Sequence, residues 1–142
     1  MPAYDAWSTL NVAPGDVRYL CCQAQQKYLP AHDDLFPRIA LRVPTARFLF
    51  VETRRRAATI LRHRLEAVFA RHGLSMETHC RFVGVLSHTD FTAVTRDAHV
   101  FLDTPEWSGC NTALEALLHG VPIVTIPGQF MRGRHATAIL RK

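Results

Sequence analysis

Short apolar runs alternate along this chain with stretches whose apolar residues recur at helical spacing. The runs occupy residues 17–22, 47–51, 80–83, 100–102 and 123–126. Runs of this length between turn residues read as buried strands. The stretches between them read as helices. Residues 32–43 carry Leu35, Phe36, Ile39, Ala40 and Val43 at helical spacing, with Pro37 in the first turns and Pro44 as the stop. Residues 57–72 put Ile60, Leu61, Leu65, Val68 and Phe69 on one face, closed by Gly73. Residues 90–96 predict a short helix, residues 112–119 a helix stopped by Gly120, and residues 134–142 the start of a last helix. Strands that alternate with helices predict an α/β domain: a Rossmann-like, mostly parallel sheet with flanking helices. Residues 1–16 read as a lead-in ending in the turn signal Pro14-Gly15-Asp16, and residues 17–142 as the domain itself. The chain stops inside its last helical pattern, so the natural domain is expected to continue.

Bulk composition narrows this picture without changing it. A length of 142 residues suits one domain with its own core. No apolar run approaches the roughly 18 residues of a membrane span, and MPAYDAWSTL has no signal-peptide character. Adjacent Cys21 and Cys22 would point to opposite faces of a strand, and no Cys pair has C-x-x-C spacing. Those four cysteines predict a reducing compartment, hence the cytoplasm, with no disulfide framework. The eight histidines form no metal-ligand pattern, so no metal is expected.

The net charge of +5 is nearly all arginine, and Arg54-Arg55-Arg56 is the one basic run. It reads either as a solvated helix start or as an attraction for anions. Aromatic residues are not interleaved with it, so nucleic acid is not an expected partner.

Chemistry concentrates in the loops that follow strands. Residues 98–128 read strand, loop, helix, strand, the length of one βαβ unit. In open α/β sheets, ligands bind where loops leave the carboxyl ends of strands. The loop Ser108-Gly109-Cys110-Asn111-Thr112 opens a helix there. Its free N–H groups and the helix dipole favour an anion, unless Ser108 or Asn111 merely caps the helix. Glu115 sits one turn in, placed for sugar hydroxyls or simply for the dipole. Lys27 follows the first strand by five residues and is either a phosphate contact or solvated. Neither G-x-x-x-x-G-K-[ST] nor G-x-G-x-x-G occurs, which argues against a P-loop and a dinucleotide dehydrogenase. The Val85-Leu86-Ser87-His88 loop offers backbone groups to a base edge, and Phe91 is either a stacking ring or core. Arg134 is a further candidate phosphate contact, or merely solvated.

Four segments in order carry a resemblance: YLCCQAQQKYLP, FVGVLSHTDF, HVFLDTPEWSGCNTALEALLHGVPIVTIPG and FMRGRHATAILRK. Together they resemble the C-terminal catalytic half of the O-GlcNAc transferases, above all the bacterial members. These are inverting glycosyltransferases of GT-B fold, often fused to tetratricopeptide repeats. The resemblance covers about residues 17–142. It implies a UDP-sugar site, with Lys27 at the donor diphosphate and the Leu86 backbone at the uracil. Cys110, Asn111 and Thr112 match a His-Thr-Thr segment at the diphosphate, and Glu115 matches the acid that holds the ribose. The chain departs from the family at Cys110 and Asn111. It departs also at His88 and Phe91, where the family has lysine and histidine, and at Val94, where it has arginine. Phe91 keeps a ring that can stack on the base.

The resemblance implies the donor-binding part of a metal-independent protein O-glycosyltransferase. Such an enzyme moves a sugar, by default GlcNAc from UDP-GlcNAc, to Ser or Thr of an acceptor protein. The donor is its substrate, and no cofactor is expected. The alternatives are an O-fucosyltransferase using GDP-fucose, as in the related Spindly-type enzymes, and a nucleotide-sugar-binding module without catalysis. No catalytic base is assigned, because the family takes acceptor-side residues from an N-terminal half that these residues do not match. The chain alone is therefore expected to bind nucleotide without turnover, with that half and the tetratricopeptide repeats of fused relatives as its expected partners.

Overall fold

In the computed structural model, which describes residues 5–142, five strands form one parallel sheet in the order β3-β2-β1-β4-β5. The strands are β1 (Val17–Cys21), β2 (Ala46–Val51), β3 (Cys80–Val83), β4 (Val100–Leu102) and β5 (Ile123–Val124). β2 lies deepest. Its residues alternate between two cores, with Ala46, Phe48 and Phe50 on one face and Leu49 and Val51 on the other. A strand covered on both faces has no polar face to show, which is why RFLFV reads as a continuous apolar run. Register is fixed along the whole of β1, from Val17 opposite Ala46 to Cys21 opposite Phe50. Cys21 and Cys22 do fall on opposite faces, one in each core, and all four cysteines are free thiols.

Helices cover both faces. α1 (Leu35–Arg42), α2 (Arg55–Arg71) and the single turn α3 (Met76–His79) pack over the first core. α4 (His88–Arg96) and α5 (Asn111–Leu118) pack over the second, and α6 (His135–Leu140) follows β5. α2 and α5 end as their glycines foretell. Gly73 and Gly120 both take φ of 70°, and the next residues close the helices through Leu74 N–H to Phe69 O and Val121 N–H to Ala116 O. These are Schellman ends, in which the left-handed residue is cheapest as glycine.

Three expectations need correction. The helix expected over residues 32–43 begins only at Leu35, because Pro30–His32 form a separate 3-10 turn. The strand expected over 123–126 stops at Val124, since the Thr125 hydroxyl turns away to donate to Asp103 Oδ2 at 2.8 Å. The segment read as a lead-in, of which residues 1–4 lie outside the described residues, carries a 3-10 turn, Ala6–Leu10, against the second core. Trp7 is buried there, and its Nε1–H donates to Val94 O at 3.1 Å. Among the described residues, no helix is long and apolar enough to cross a membrane.

The topology selects one place for a ligand. From β1 the chain steps outward to β2 and β3, then returns across the other face to β4 and β5. Strand order reverses between β1 and β4, so the loops leaving their carboxyl ends diverge and open a crevice. Those loops begin at Cys22 and Asp103.

Candidate functional site

Gln23 leaves β1 into this crevice and is almost wholly buried. Its side chain joins two elements far apart in sequence. Gln23 Nε2 donates to Thr112 Oγ1 at 2.6 Å, and Gln23 Oε1 accepts from Lys27 Nζ at 3.0 Å. Lys27, at the end of a 3-10 turn (Gln25–Lys27), is thereby held towards the first turn of α5. α5 starts at Asn111 with no side-chain cap, so its first N–H groups are left for an outside acceptor. A cation and a bare helix start at a switch point make a setting for an anion.

The wall carrying α5 is built on Asp103. This buried carboxylate accepts from Ser108 Oγ at 2.5 Å, from Gly109 N at 2.7 Å and from Thr125 Oγ1 at 2.8 Å. Ser108 Oγ in turn accepts from Ala136 N at 2.9 Å, satisfying an orphan N–H of α6. One residue therefore ties the end of β4, the loop into α5, the exit of β5 and the start of α6. Gly109 is pressed between the parts: a Cβ on it would collide with Gln23 Nε2 and Thr112 Oγ1.

Cys22 marks how close the remaining groups stand. Burial pushes its thiol up to about 12, partly offset by a hydrogen bond with Thr112, while the charges of Glu115 and Asp103 raise it further. Glu115 is half-buried on the α5 face that looks towards this crevice. Cys21 and Cys80 are likewise pushed up by burial, so all three interior thiols stay protonated and inert.

No family model and no curated protein matches this chain. A solved structure does: the O-GlcNAc transferase of Thermobaculum terrenum, determined as a lysine-to-methionine mutant, with 34% identity and a TM-score of 0.78. The match takes in 91% of this chain. The resemblance to the bacterial O-GlcNAc transferases holds in three dimensions. It is a resemblance to part of such an enzyme, since the chain spans 25% of the relative's length. The all-parallel, Rossmann-like sheet is the shared architecture.

The residues that the O-GlcNAc transferase resemblance singles out are distributed unevenly. Lys27 and Thr112 are joined through Gln23, and Glu115 lies one turn further along α5 beside Cys22. Cys110 and Asn111 are both exposed at the helix start. Neither Ser108 nor Asn111 caps α5: Ser108 serves Asp103 and α6, and Asn111 is the first helical residue. Leu86 and Phe91 are half-buried and pack against the second core, on the α4 side that adjoins α5. Arg134 is exposed and donates from Nη1 to Gly128 O at 3.2 Å, next to the start of α6. Cys110 instead borders an open groove shared with Leu114, His135 and Ile139.

Gln23 and Asp103 went unremarked as site residues in the sequence. Gln23 stands inside the segment YLCCQAQQKYLP, where nothing sets it apart from Gln25 and Gln26. The one available signal for Asp103 is an acid directly after a buried strand, with Ser and Gly five and six residues on.

Proposed function

We propose that this chain is the donor-binding part of a protein O-glycosyltransferase. The diphosphate of a nucleotide sugar lies between Lys27 and the start of α5, with the ribose hydroxyls on Glu115. The base rests on the backbone at Leu86 with Phe91 beside it, and Arg134 is a further candidate for the phosphates. The observation that carries this reading is the Lys27–Gln23–Thr112 chain of hydrogen bonds at the switch point. It links a cation to a helix start through one buried side chain. The default donor is UDP-GlcNAc, and the acceptor is a Ser or Thr hydroxyl of a protein.

In the reaction, the acceptor oxygen attacks the anomeric carbon while the bond to the diphosphate breaks, and the hydroxyl proton passes to a base on the acceptor side of the longer enzyme. Negative charge grows on the departing phosphate. On this reading Lys27 and the α5 N–H groups stabilise that charge as it develops. Groups on the acceptor side come from the rest of such an enzyme, and these 142 residues are expected to bind nucleotide without transferring sugar.

A second reading is supported by exposed Cys110 and Asn111, which replace His and Thr of the family pattern. It is a module that binds nucleotide sugar without catalysis. Calorimetric titration of UDP, UDP-GlcNAc and GDP-fucose, repeated on Lys27→Ala and Glu115→Ala, tests both the site and the donor. Each variant is expected to lose about tenfold or more in affinity, the weight of one charge-assisted contact. Unchanged affinity in both variants would refute the site. Sugar transfer by the longer enzyme containing this chain separates the two readings.

A further inference from the structure

Arg54, Arg55 and Arg56 lie at the carboxyl end of β2, on the same edge of the sheet as Lys27. All three are exposed, and no ion pair among the described residues involves them. That sets them apart from Arg47, Arg62, Arg64 and Arg96, each of which meets a carboxylate. They also stand where the fold gains least from a cation. α2 has no acid in its first turn and no side-chain cap, and positive charge at a helix start opposes the dipole.

The turn that bears them is nonetheless held firmly. Gln25, 2% exposed, donates from Nε2 to Val51 O at 2.7 Å. Its Oε1 accepts from Thr53 N at 2.8 Å, Thr53 Oγ1 at 3.1 Å and Arg54 N at 3.4 Å. A buried glutamine thus bolts the start of the arginine run to the 3-10 turn that carries Lys27 two residues later. The start of the arginine run is thereby fixed relative to the turn that carries Lys27.

We propose that Arg54, Arg55 and Arg56 form a docking surface for an acidic polypeptide, held at the rim of the Lys27 crevice. The inference rests on the reading of this chain as part of a protein-modifying transferase. It adds a preference for acceptors that carry Asp or Glu near the modified Ser or Thr. Guanidinium groups pair with carboxylates through two parallel hydrogen bonds. Arg54 is extended and ends the turn, whereas Arg55 and Arg56 open α2 and point about 100° apart. That spread suits the separate, flexible carboxylates of a peptide better than the even spacing of a phosphate backbone. Phe82 on β3 is not free to stack on a nucleobase, being stacked on Phe50 and covered by Arg62 at 4.7 Å.

The test uses two labelled peptides, one with Ser flanked by Asp and Glu and one with the same Ser flanked by Asn and Gln. Their binding is read by fluorescence anisotropy at low salt, with UDP titrated in parallel by calorimetry. The acidic peptide is expected to bind at least about tenfold more tightly than the neutral one, and to lose that advantage by about 0.5 M salt. The Arg54→Ala/Arg55→Ala/Arg56→Ala protein is expected to bind both peptides alike, while its UDP affinity stays within about twofold. Arg55→Glu, a single exposed change, is expected to move in the same direction. Equal binding of the two peptides by the unaltered protein, or an undiminished preference in the triple variant, would overturn the docking surface. Tighter binding of single-stranded DNA than of the acidic peptide would overturn it too. UDP binding with no peptide preference removes the docking surface and leaves the donor site. A peptide preference that needs the arginines, without UDP binding, upholds the docking surface and removes the donor reading.

Discussion

Asp103 is the residue whose loss should cost this fold most for its size. In Asp103→Ala, three donors lose a charged acceptor at once: the Ser108 hydroxyl, the Gly109 amide and the Thr125 hydroxyl. Hydrogen bonds to charged groups are worth about 1.5–3 kcal/mol each, so the gross loss reaches about 4–9 kcal/mol. Two of the donors have a fallback. Thr125 is half-exposed and can turn to water, and the Ser108 hydroxyl can swing to Gly109 O, 3.5 Å away. The Gly109 amide is buried and has none. A net cost of about 3–5 kcal/mol follows, a large share of the roughly 5–15 kcal/mol that a domain commands. Asp103→Asn keeps one oxygen for Gly109 and sets an amide against two hydroxyls that can rotate to accept. It should cost only about 1–2 kcal/mol. Urea unfolding at pH 7, followed by far-UV circular dichroism, reads both values. The reasoning is refuted if the alanine variant loses less than about 1 kcal/mol, or if asparagine costs as much as alanine.

Two further outcomes follow from the same wall. Gly109→Ala should leave the sheet intact yet weaken UDP binding about tenfold, because its Cβ would enter the space between Gln23 Nε2 and Thr112 Oγ1 and part Lys27 from α5; calorimetry beside circular dichroism checks that separation. Of four thiols, Cys110 alone is exposed, so one equivalent of a thiol reagent should react promptly at pH 8 and three only on unfolding. Saturating UDP should slow that one reaction, and a rate indifferent to UDP would count against the diphosphate at the α5 start.

The layers of this fold were legible because burial on both faces is written in the strands themselves. Phe48, Leu49, Phe50 and Val51 cannot all face a core unless a core lies on each side. Helix ends at Gly73 and Gly120 were legible for an equally local reason, since each needs a positive φ. What escaped has a partner elsewhere in the chain. α3 has four residues, too few to show a period. Asp33 looks like a helix start but is buried under Arg64, which donates to both its oxygens at 2.7 Å. Ala6, Trp7 and Leu10 look like a lead-in because the second core that receives them is assembled from later strands and helices.

The candidate site divides along the same line. Lys27, Thr112 and Glu115 could be found by residue type at a strand or helix end. Gln23 could not, because its meaning lies in a hydrogen bond to Thr112, 89 residues away. That bond also limits what can change. Replacing Thr112 leaves the buried Gln23 amide without that partner, at a cost of about 1–3 kcal/mol, so this pair answers to the fold as well as to a ligand. Cys110 and Asn111 answer to no such demand. Both are exposed, neither caps α5, and a change there costs the fold little. The departures from the family pattern at the α5 start therefore fall where stability imposes least, and residues there are free to change without loss of the fold.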